Sequence, residues 1–170
     1  DSSTWYLIQA LNTLRDNKGH ILVEGIYDKV IPPTKRELEL VEKYSYRSAK
    51  ALEDAYQLVL PSLADSHKTF LRKLYFEPSI AIEGITSGYQ GEGVKTILPA
   101  YAKCKAEVRL VPGLTPKGVL DSIQNHLKEN GFNDIELTYT LGEMSYRSDM
   151  SAPSILKVVD LAEQFYPEGV

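Results

Sequence analysis

The segment between Tyr101 and Leu110 constrains the fold more than any other part of this sequence. One parity is apolar and comprises Ala102, Cys104, Ala106, Val108 and Leu110, while the other comprises Tyr101, Lys103, Lys105, Glu107 and Arg109. A period of two is typical of a β-strand with one buried side and one solvent-facing side. Pro112 and Gly113 predict its end, and Thr115 followed by Pro116 predicts the N-cap and first residue of a helix.

The flanking segments complete an α+β pattern. Capping residues at the N-terminus precede a helix over about residues 4–16, and β-branched residues predict a strand over 79–85. The helix that starts at Pro116 ends at Asn130 and Gly131, and residues 134–140 alternate as a third strand. This order predicts a ferredoxin-like βαββαβ domain that lacks its first strand. That strand would lie at the sheet centre, so we expect another segment to fill the gap.

Residues 31–77 are predicted to be an α-helical insertion into this domain. Pro32 and Pro33 break the preceding structure, and Thr34 with Glu37 forms the sequence pattern of a capping box. The pattern predicts helices over 34–44, 49–60 and 66–75, without any repeated motif. The helix predicted to begin at Pro153 has an apolar side, expected to face inward, made of Ile155, Leu156, Val159, Ala162 and Phe165.

Composition and charge exclude several functional classes. The formal net charge is −4, and no cluster of Lys and Arg suggests a nucleic-acid surface. No apolar run approaches the roughly 20 residues that span a bilayer, and the N-terminus lacks a signal-peptide pattern, so we expect a cytoplasmic protein without membrane contact. Cys104 is the only cysteine, which excludes an internal disulfide. Its apolar parity predicts a buried, inert thiol.

The residues do not form a recognisable catalytic site. His20, His67 and His126 have no spacing typical of metal ligands. The glycines between Gly88 and Gly93 lack the Lys-Ser/Thr of a phosphate-binding loop, and Ser87 lacks a nucleophile elbow. We therefore predict no catalytic residue and no metal ligand in this chain.

Several motifs resemble one family. Four segments are similar to the lid, or dimerisation, domain of metallopeptidase family 20. They are the Gly-rich turn, the KTILPA segment, the strand that ends in VRLVP and the helix that ends in HLKENGF. That family includes carnosinases and related dipeptidases, acetylornithine deacetylase, succinyl-diaminopimelate desuccinylase, aminoacylase and glutamate carboxypeptidase. The resemblance implies a zinc-dependent exopeptidase or amino-acid deacylase as the parent, with the zinc ligands and catalytic base outside this chain. The helical insertion is typical of the dipeptidase-like branch.

The resemblance also implies two substrate-binding residues. Thr96 in KTILP and Arg109 in VRLVP lie thirteen residues apart, as do a Thr and an Arg that bind the substrate carboxylate in the partner subunit's active site in dipeptidase-like members. Arg suits this task because its planar guanidinium can hold a carboxylate with two parallel hydrogen bonds. The alternatives are a solvated strand arginine and an ordinary threonine. Glutamate carboxypeptidase-like members have Asn at the Thr96 position, and a lid His of the family has no counterpart here.

The resulting hypothesis is a dimerisation and substrate-carboxylate-binding lid. It assigns residues 1–145 to the lid and 146–170, starting near the Tyr146-Arg147-Ser148-Asp149 segment, to the second catalytic segment of the parent. The parent would hydrolyse the amide bond of a dipeptide or an N-acyl amino acid, and the lid would form a homodimer through strand 79–85 and the first helix. The alternatives are a freestanding ferredoxin-like module that binds a small molecule or regulates as a dimer, and a purely structural dimer module.

Overall fold

The computed structural model describes residues 2–57 and 66–166, and these form two compact units, of which the first is α+β and the second contains helices without a described strand. The first unit contains residues 2–31 and 77–145, and the second contains 32–57, 66–76 and 146–166. The elements are α1 (Ser3–Leu14), α2 (Lys35–Tyr56), α3 (His67–Phe76), β1 (Ser79–Ser87), β2 (Ala102–Arg109), α4 (Pro116–Glu129) and α5 (Pro153–Phe165). No helix in the described part of the chain has both the length and the apolar character needed to cross a membrane.

The predicted caps set the ends of α1 and α4. The Ser2 side chain accepts a hydrogen bond from the Thr4 amide, and the Thr115 side chain accepts one from Gly118 at the start of α4. At the other end of α4, Gly131 has a φ of +86°, which suits the glycine that commonly follows a helix C-terminus. The N-cap and proline signals in the sequence therefore located both helices within two residues.

The described sheet contains two antiparallel strands. Ser79 pairs with Arg109 and Ser87 with Ala102, and a bulge interrupts the register between Ile82 and Gly84. Among the described residues, neither outer edge of this strand pair has a ladder partner. The alternation predicted for β2 is mostly confirmed: Ala102, Cys104, Val108 and Leu110 are half-buried and Ala106 is exposed.

The core of the first unit joins one side of the sheet to α1 and α4. Its buried residues are Ala10, Leu14, Ile21, Val23, Ile26, Ile80, Val111, Leu114, Val119 and Leu127. The turn after β2 fits closely against the chain at Lys29: the Ile31 amide donates to the Pro112 carbonyl at 2.8 Å. A Cβ on Gly113, which has a φ of +99°, would lie 1.8 Å from the Lys29 carbonyl oxygen, so only glycine fits there.

The predicted strand over residues 134–140 is wrong, because this segment forms no ladder. Its alternation is nevertheless present: Ile135 and Leu137 are half-buried against the core, whereas Glu136 and Thr138 are exposed. In a ferredoxin-like order this segment would pair with the opening strand, and no such strand is present among the described residues. An extended segment without a neighbouring backbone has the side-chain pattern of a strand but no hydrogen-bonded partner.

The second unit contains the helical insertion, and here the predicted break near residues 45–48 is wrong. Helix α2 runs without interruption from Lys35 to Tyr56, because that stretch contains no glycine or proline to break it. The end predicted at residue 60 lies outside the described residues. Helices α2 and α3 pack through a small core of Val41, Leu71 and Phe76, with Leu52 and Phe70 beside it.

Arg147 joins three separate segments of the second unit. Its Nε lies 3.1 Å from Glu37 Oε1, and its Nη2 donates to the Pro32 carbonyl at 3.0 Å. The guanidinium also lies over the Phe76 ring, 5.7 Å from the centroid, at the end of α3. The second oxygen of Glu37 accepts from the Thr34 amide at 2.6 Å, which confirms the predicted capping box. Arg147 thus connects residue 32, the start of α2 and the end of α3.

The expectation of an inward apolar side on α5 is not met. Leu156, Val159 and Phe165 are 47%, 43% and 76% exposed, and α5 has no buried residue. Amphipathic spacing specifies a helix that can bury one side, but burial also needs a partner surface, and the described residues leave this side of α5 largely exposed.

We predict that Arg147→Met lowers the free energy of unfolding of the second unit by about 3–5 kcal/mol, because Glu37 remains as a buried carboxylate without its cation. The two side chains are only 19% and 8% exposed. Adding Glu37→Gln should recover part of the loss, since the charge is then removed. Hydrogen exchange of the α2 amides that follow the first turn measures the effect, because these amides are hydrogen-bonded within the helix. Lys157→Met, which removes an exposed pair with Asp160, is the control, with a loss of about 0–1 kcal/mol. Equal losses in Arg147→Met and Lys157→Met would contradict the prediction.

Candidate functional site

The candidate site lies on β2 and on the loop that leads into it, residues 88–101. Gly88 and Gly93 have φ values of +65° and +79°, and the loop contains no helix or strand. The first turn of α1 holds both ends of this loop: the Thr4 and Ser87 hydroxyls lie 2.6 Å apart, and the Ser3 hydroxyl donates to the Pro99 carbonyl at 2.9 Å. The N-cap region of α1 therefore positions the loop as well as starting the helix.

Thr96 lies in the exposed middle of the loop, and the structure shows no hydrogen bond to its side chain from a described residue. Its apolar neighbours are also exposed, with Val94 at 98% and Leu98 at 85%. Exposed aliphatic side chains in a loop that is anchored at both ends are available for contact with another surface.

Arg109 is the last residue of β2, opposite Ser79 in the register. Its side chain is 73% exposed, which agrees with the solvent-facing parity predicted from the alternation. The guanidinium Nε donates to Glu107 Oε1 at 2.8 Å. Sequence reasoning missed this bond, although the signal was present: opposite charges two residues apart on a strand share one side of the sheet.

The structure does not bring Thr96 and Arg109 into contact. The loop joins β2 at Ala102, whereas Arg109 is at the other end of the strand. Seven steps along a strand at about 3.3 Å each cover roughly 23 Å. A shared role for the two side chains therefore stays a prediction.

The described residues do not fit a metal ion. They contain no group of three or more His, Cys, Asp or Glu side chains that could hold one. The His20 ring stacks on Tyr27 with centroids 4.4 Å apart. His126 Nε2 lies 3.0 Å from the Thr13 carbonyl oxygen and 3.1 Å from the Thr13 hydroxyl, so its ring contacts the last turn of α1. His67 begins α3, and its side chain lies outside the described residues.

Two surface cavities in the first unit contain no catalytic arrangement. The polar one, of about 220 Å³, is lined by Glu24, Ser122, Asn125, His126 and Glu129. The apolar one, of about 450 Å³, is lined by Thr115, Pro116, Lys117, Leu120, Tyr139 and Met144. The Ser122 hydroxyl donates to the Gly118 carbonyl of its own helix at 2.9 Å, which is a helix-internal contact and not an activated nucleophile.

Comparison with known proteins decides the family. The model of the peptidase dimerisation domain matches residues 1–134. The chain belongs to that domain family of the family 20 metallopeptidases. The dimerisation domain is 31% identical to the Beta-Ala-His dipeptidase of Rattus norvegicus over 160 residues, which is 88% of this chain and 31% of that protein. It is 34% identical to the Cys-Gly metallodipeptidase of Candida albicans over 121 residues, 71% of this chain and 24% of that protein.

Solved structures give the same result for the dimerisation domain. A family 20 metallo-carboxypeptidase from Sulfolobus solfataricus matches with a TM-score of 0.76 and 28% identity, covering 98% of this chain and 38% of that one. Human carnosine dipeptidase 1 matches with a TM-score of 0.73 and 28% identity, over 96% of this chain and 36% of that one. The chain thus spans between about a quarter and two-fifths of these relatives.

The reactivity of the Cys104 thiol tests whether the apolar side of β2 is shielded from solvent. Cys104 is half-buried, and burial raises the pKa of its thiol. Because the thiolate is the reactive form, we predict slower reaction with a disulfide reagent near neutral pH in the native chain than in the chain unfolded by urea. The pH-rate midpoint should lie above that of the unfolded thiol, and the Cys104→Ser variant should not react. A native midpoint at or below the unfolded one would contradict this assignment.

Proposed function

We propose that this dimerisation domain binds the substrate carboxylate for a metal-dependent dipeptidase, which hydrolyses an amide bond next to a free carboxylate. The observation that carries the proposal is the exposed Arg109 guanidinium at the end of β2, on a family background of dipeptidases. An N-acyl amino acid has the same terminal carboxylate, so deacylation is the second reaction of this class.

The chemistry of Arg109 suits this role. A guanidinium stays charged throughout the physiological pH range, and its terminal nitrogens can hold both oxygens of one carboxylate. On this exposed strand end, Arg109 can meet a substrate that is bound in another active site. Thr96 would contribute a hydroxyl from the exposed loop, and Val94 and Leu98 would exclude water from the contact.

Bond cleavage would take place outside this chain. The proposed metal is zinc, bound with the catalytic base by other segments of the parent protein, since the described residues do not fit such a site. In this proposal residues 1–145 form the lid, with 31–77 as its insertion, and 146–170 begin the second catalytic segment. The exposed apolar side of α5 supports that division, because it needs a covering surface. The cytoplasmic location stays a prediction.

The proposed topology is the ferredoxin-like order with its opening strand supplied by another segment. The free edge of β2 and the unpaired residues 134–140 support this topology, since both need the same missing neighbour. Buried backbone groups without partners cost about 1–3 kcal/mol each, so a strand inserted there would be strongly favoured.

The proposed partner is a second copy of the domain. The free edge of β1 can pair with its copy about a twofold axis, and Ile82, Ile85 and Trp5 are 51%, 46% and 63% exposed near that edge and on α1. Dimerisation would also bring Arg109 to the neighbouring subunit's active site.

We predict that Arg109→Ala in the complete parent protein lowers kcat/KM for a dipeptide with a free carboxylate by about 30-fold to several thousand-fold. That range corresponds to the roughly 2–5 kcal/mol lost when one partner of a desolvated charge pair is removed. The melting temperature should stay unchanged, because the side chain is 73% exposed. Lys105→Ala, four residues away on the same strand side, is the matched control. A normal kcat/KM for Arg109→Ala would contradict the proposal and indicate that Arg109 is an ordinary solvent-exposed strand residue.

We predict that the 170-residue chain forms dimers at about 100 µM in sedimentation equilibrium, a concentration that detects even weak association. Ile85→Lys should shift the equilibrium to monomers, because it places a charge beside the free edge of β1. Val158→Lys changes a 65% exposed residue on α5 in the second unit and serves as the control. A wild-type chain that is strictly monomeric at this concentration would contradict the dimer proposal.

A further inference from the structure

Glu107 and Arg109 form an ion pair along one side of β2. The carboxylate Oε1 lies 2.8 Å from the guanidinium Nε, and the side chains are 43% and 73% exposed, respectively. Nε is the inner nitrogen of the guanidinium, next to the aliphatic stem. The bond therefore involves the side of the guanidinium and leaves its terminal edge, formed by the two Nη groups, facing away from Glu107.

The cross-strand neighbours give Arg109 little support. Ser79 lies opposite Arg109, and Ala81 lies opposite Glu107. Both are small, so no long side chain of β1 stands beside the guanidinium at these two register positions. Among the described residues, the ion pair with Glu107 is the polar contact that restricts the direction of the Arg109 side chain.

We infer that Glu107 is a positioning residue: it holds the guanidinium by Nε so that both Nη groups meet a substrate carboxylate edge-on. This inference rests on the proposed carboxylate-binding role of Arg109. A carboxylate bound by the two terminal nitrogens makes parallel hydrogen bonds of the strong bidentate type. Without Glu107, the flexible stem of Arg109 must be ordered at the moment of substrate binding, which weakens the binding.

A role in stability does not explain the pair. Exposed ion pairs contribute about 0–1 kcal/mol to folding, and this pair lies on the solvent-facing side of its strand. Loss of Glu107 should therefore leave the fold intact, and its effect should appear in substrate binding. Gln at this position provides a conservative replacement, because its amide oxygen can still accept the Nε hydrogen bond after the charge has been removed.

The experiment compares Glu107→Ala, Glu107→Gln, Arg109→Ala and the control Lys105→Ala in the complete parent protein, with one dipeptide and its C-terminal amide as substrates. For the free-carboxylate dipeptide, Glu107→Ala should raise KM about two- to tenfold. This is the effect expected when substrate binding must also immobilise the Arg109 side chain. The kcat value should stay within about twofold in Glu107→Ala, and KM within about twofold in Glu107→Gln. With the amide substrate, Glu107→Ala and wild type should be equal, because no terminal carboxylate is present.

The outcomes separate this inference from the proposed function. If Arg109→Ala is impaired and Glu107→Ala matches wild type, Arg109 keeps its role and the positioning role of Glu107 is overturned. A Glu107→Gln variant as impaired as Glu107→Ala would also overturn it, since the hydrogen bond alone would then not orient Arg109. If Arg109→Ala itself has normal kinetics, the carboxylate-binding role fails first, and the inference about Glu107 fails with it. Circular dichroism and melting temperatures of all four variants confirm equal folding.

Discussion

The antiparallel ladder between β1 and β2 is the interaction on which the first unit depends. It fixes which side of each strand meets α1 and α4, so it determines both the core around Ile80 and the solvent-facing row that contains Glu107 and Arg109. Neither outer edge of this strand pair has a further hydrogen-bonded strand among the described residues. A two-stranded sheet is marginal alone, so the packing of two helices on one side supplies the remaining stability.

The functional side chains proposed here are exposed, and this follows from the kind of site they would serve. A residue that completes another subunit's active site cannot be buried in its own core. The rigid parts of the domain therefore act as a support: the first turn of α1 fixes the ends of the loop through Ser3 and Thr4, and the strand backbone fixes Arg109. Precision at such a site has to come from local contacts on the surface, of which the Glu107 bond is one.

Sequence reasoning located the elements whose ends have local signals and failed where the outcome depends on a partner. The Ser2 and Thr115 caps gave α1 and α4, and alternation gave β2 and the exposed side of Arg109. The break predicted within α2 was wrong, because polar residues without glycine or proline do not end a helix. The strand at 134–140 and the buried side of α5 were wrong for another reason: both were inferred from correct periodicity, but neither has the neighbour it would need among the described residues. The i, i+2 spacing placed Glu107 and Arg109 on one side of β2, but the bond from Nε to Oε1 depends on side-chain rotamers that the spacing alone does not specify.

The contacts of Arg147 have a consequence for the order of folding. Arg147 and its acceptor Pro32 are separated by 115 positions in the chain. During synthesis, α2 and α3 leave the ribosome before residue 147, and their small shared core around Val41 and Leu71 does not include Arg147. Closing so long a loop costs conformational entropy that the local helices do not incur. We therefore expect the arginine contact to form after the local contacts between α2 and α3.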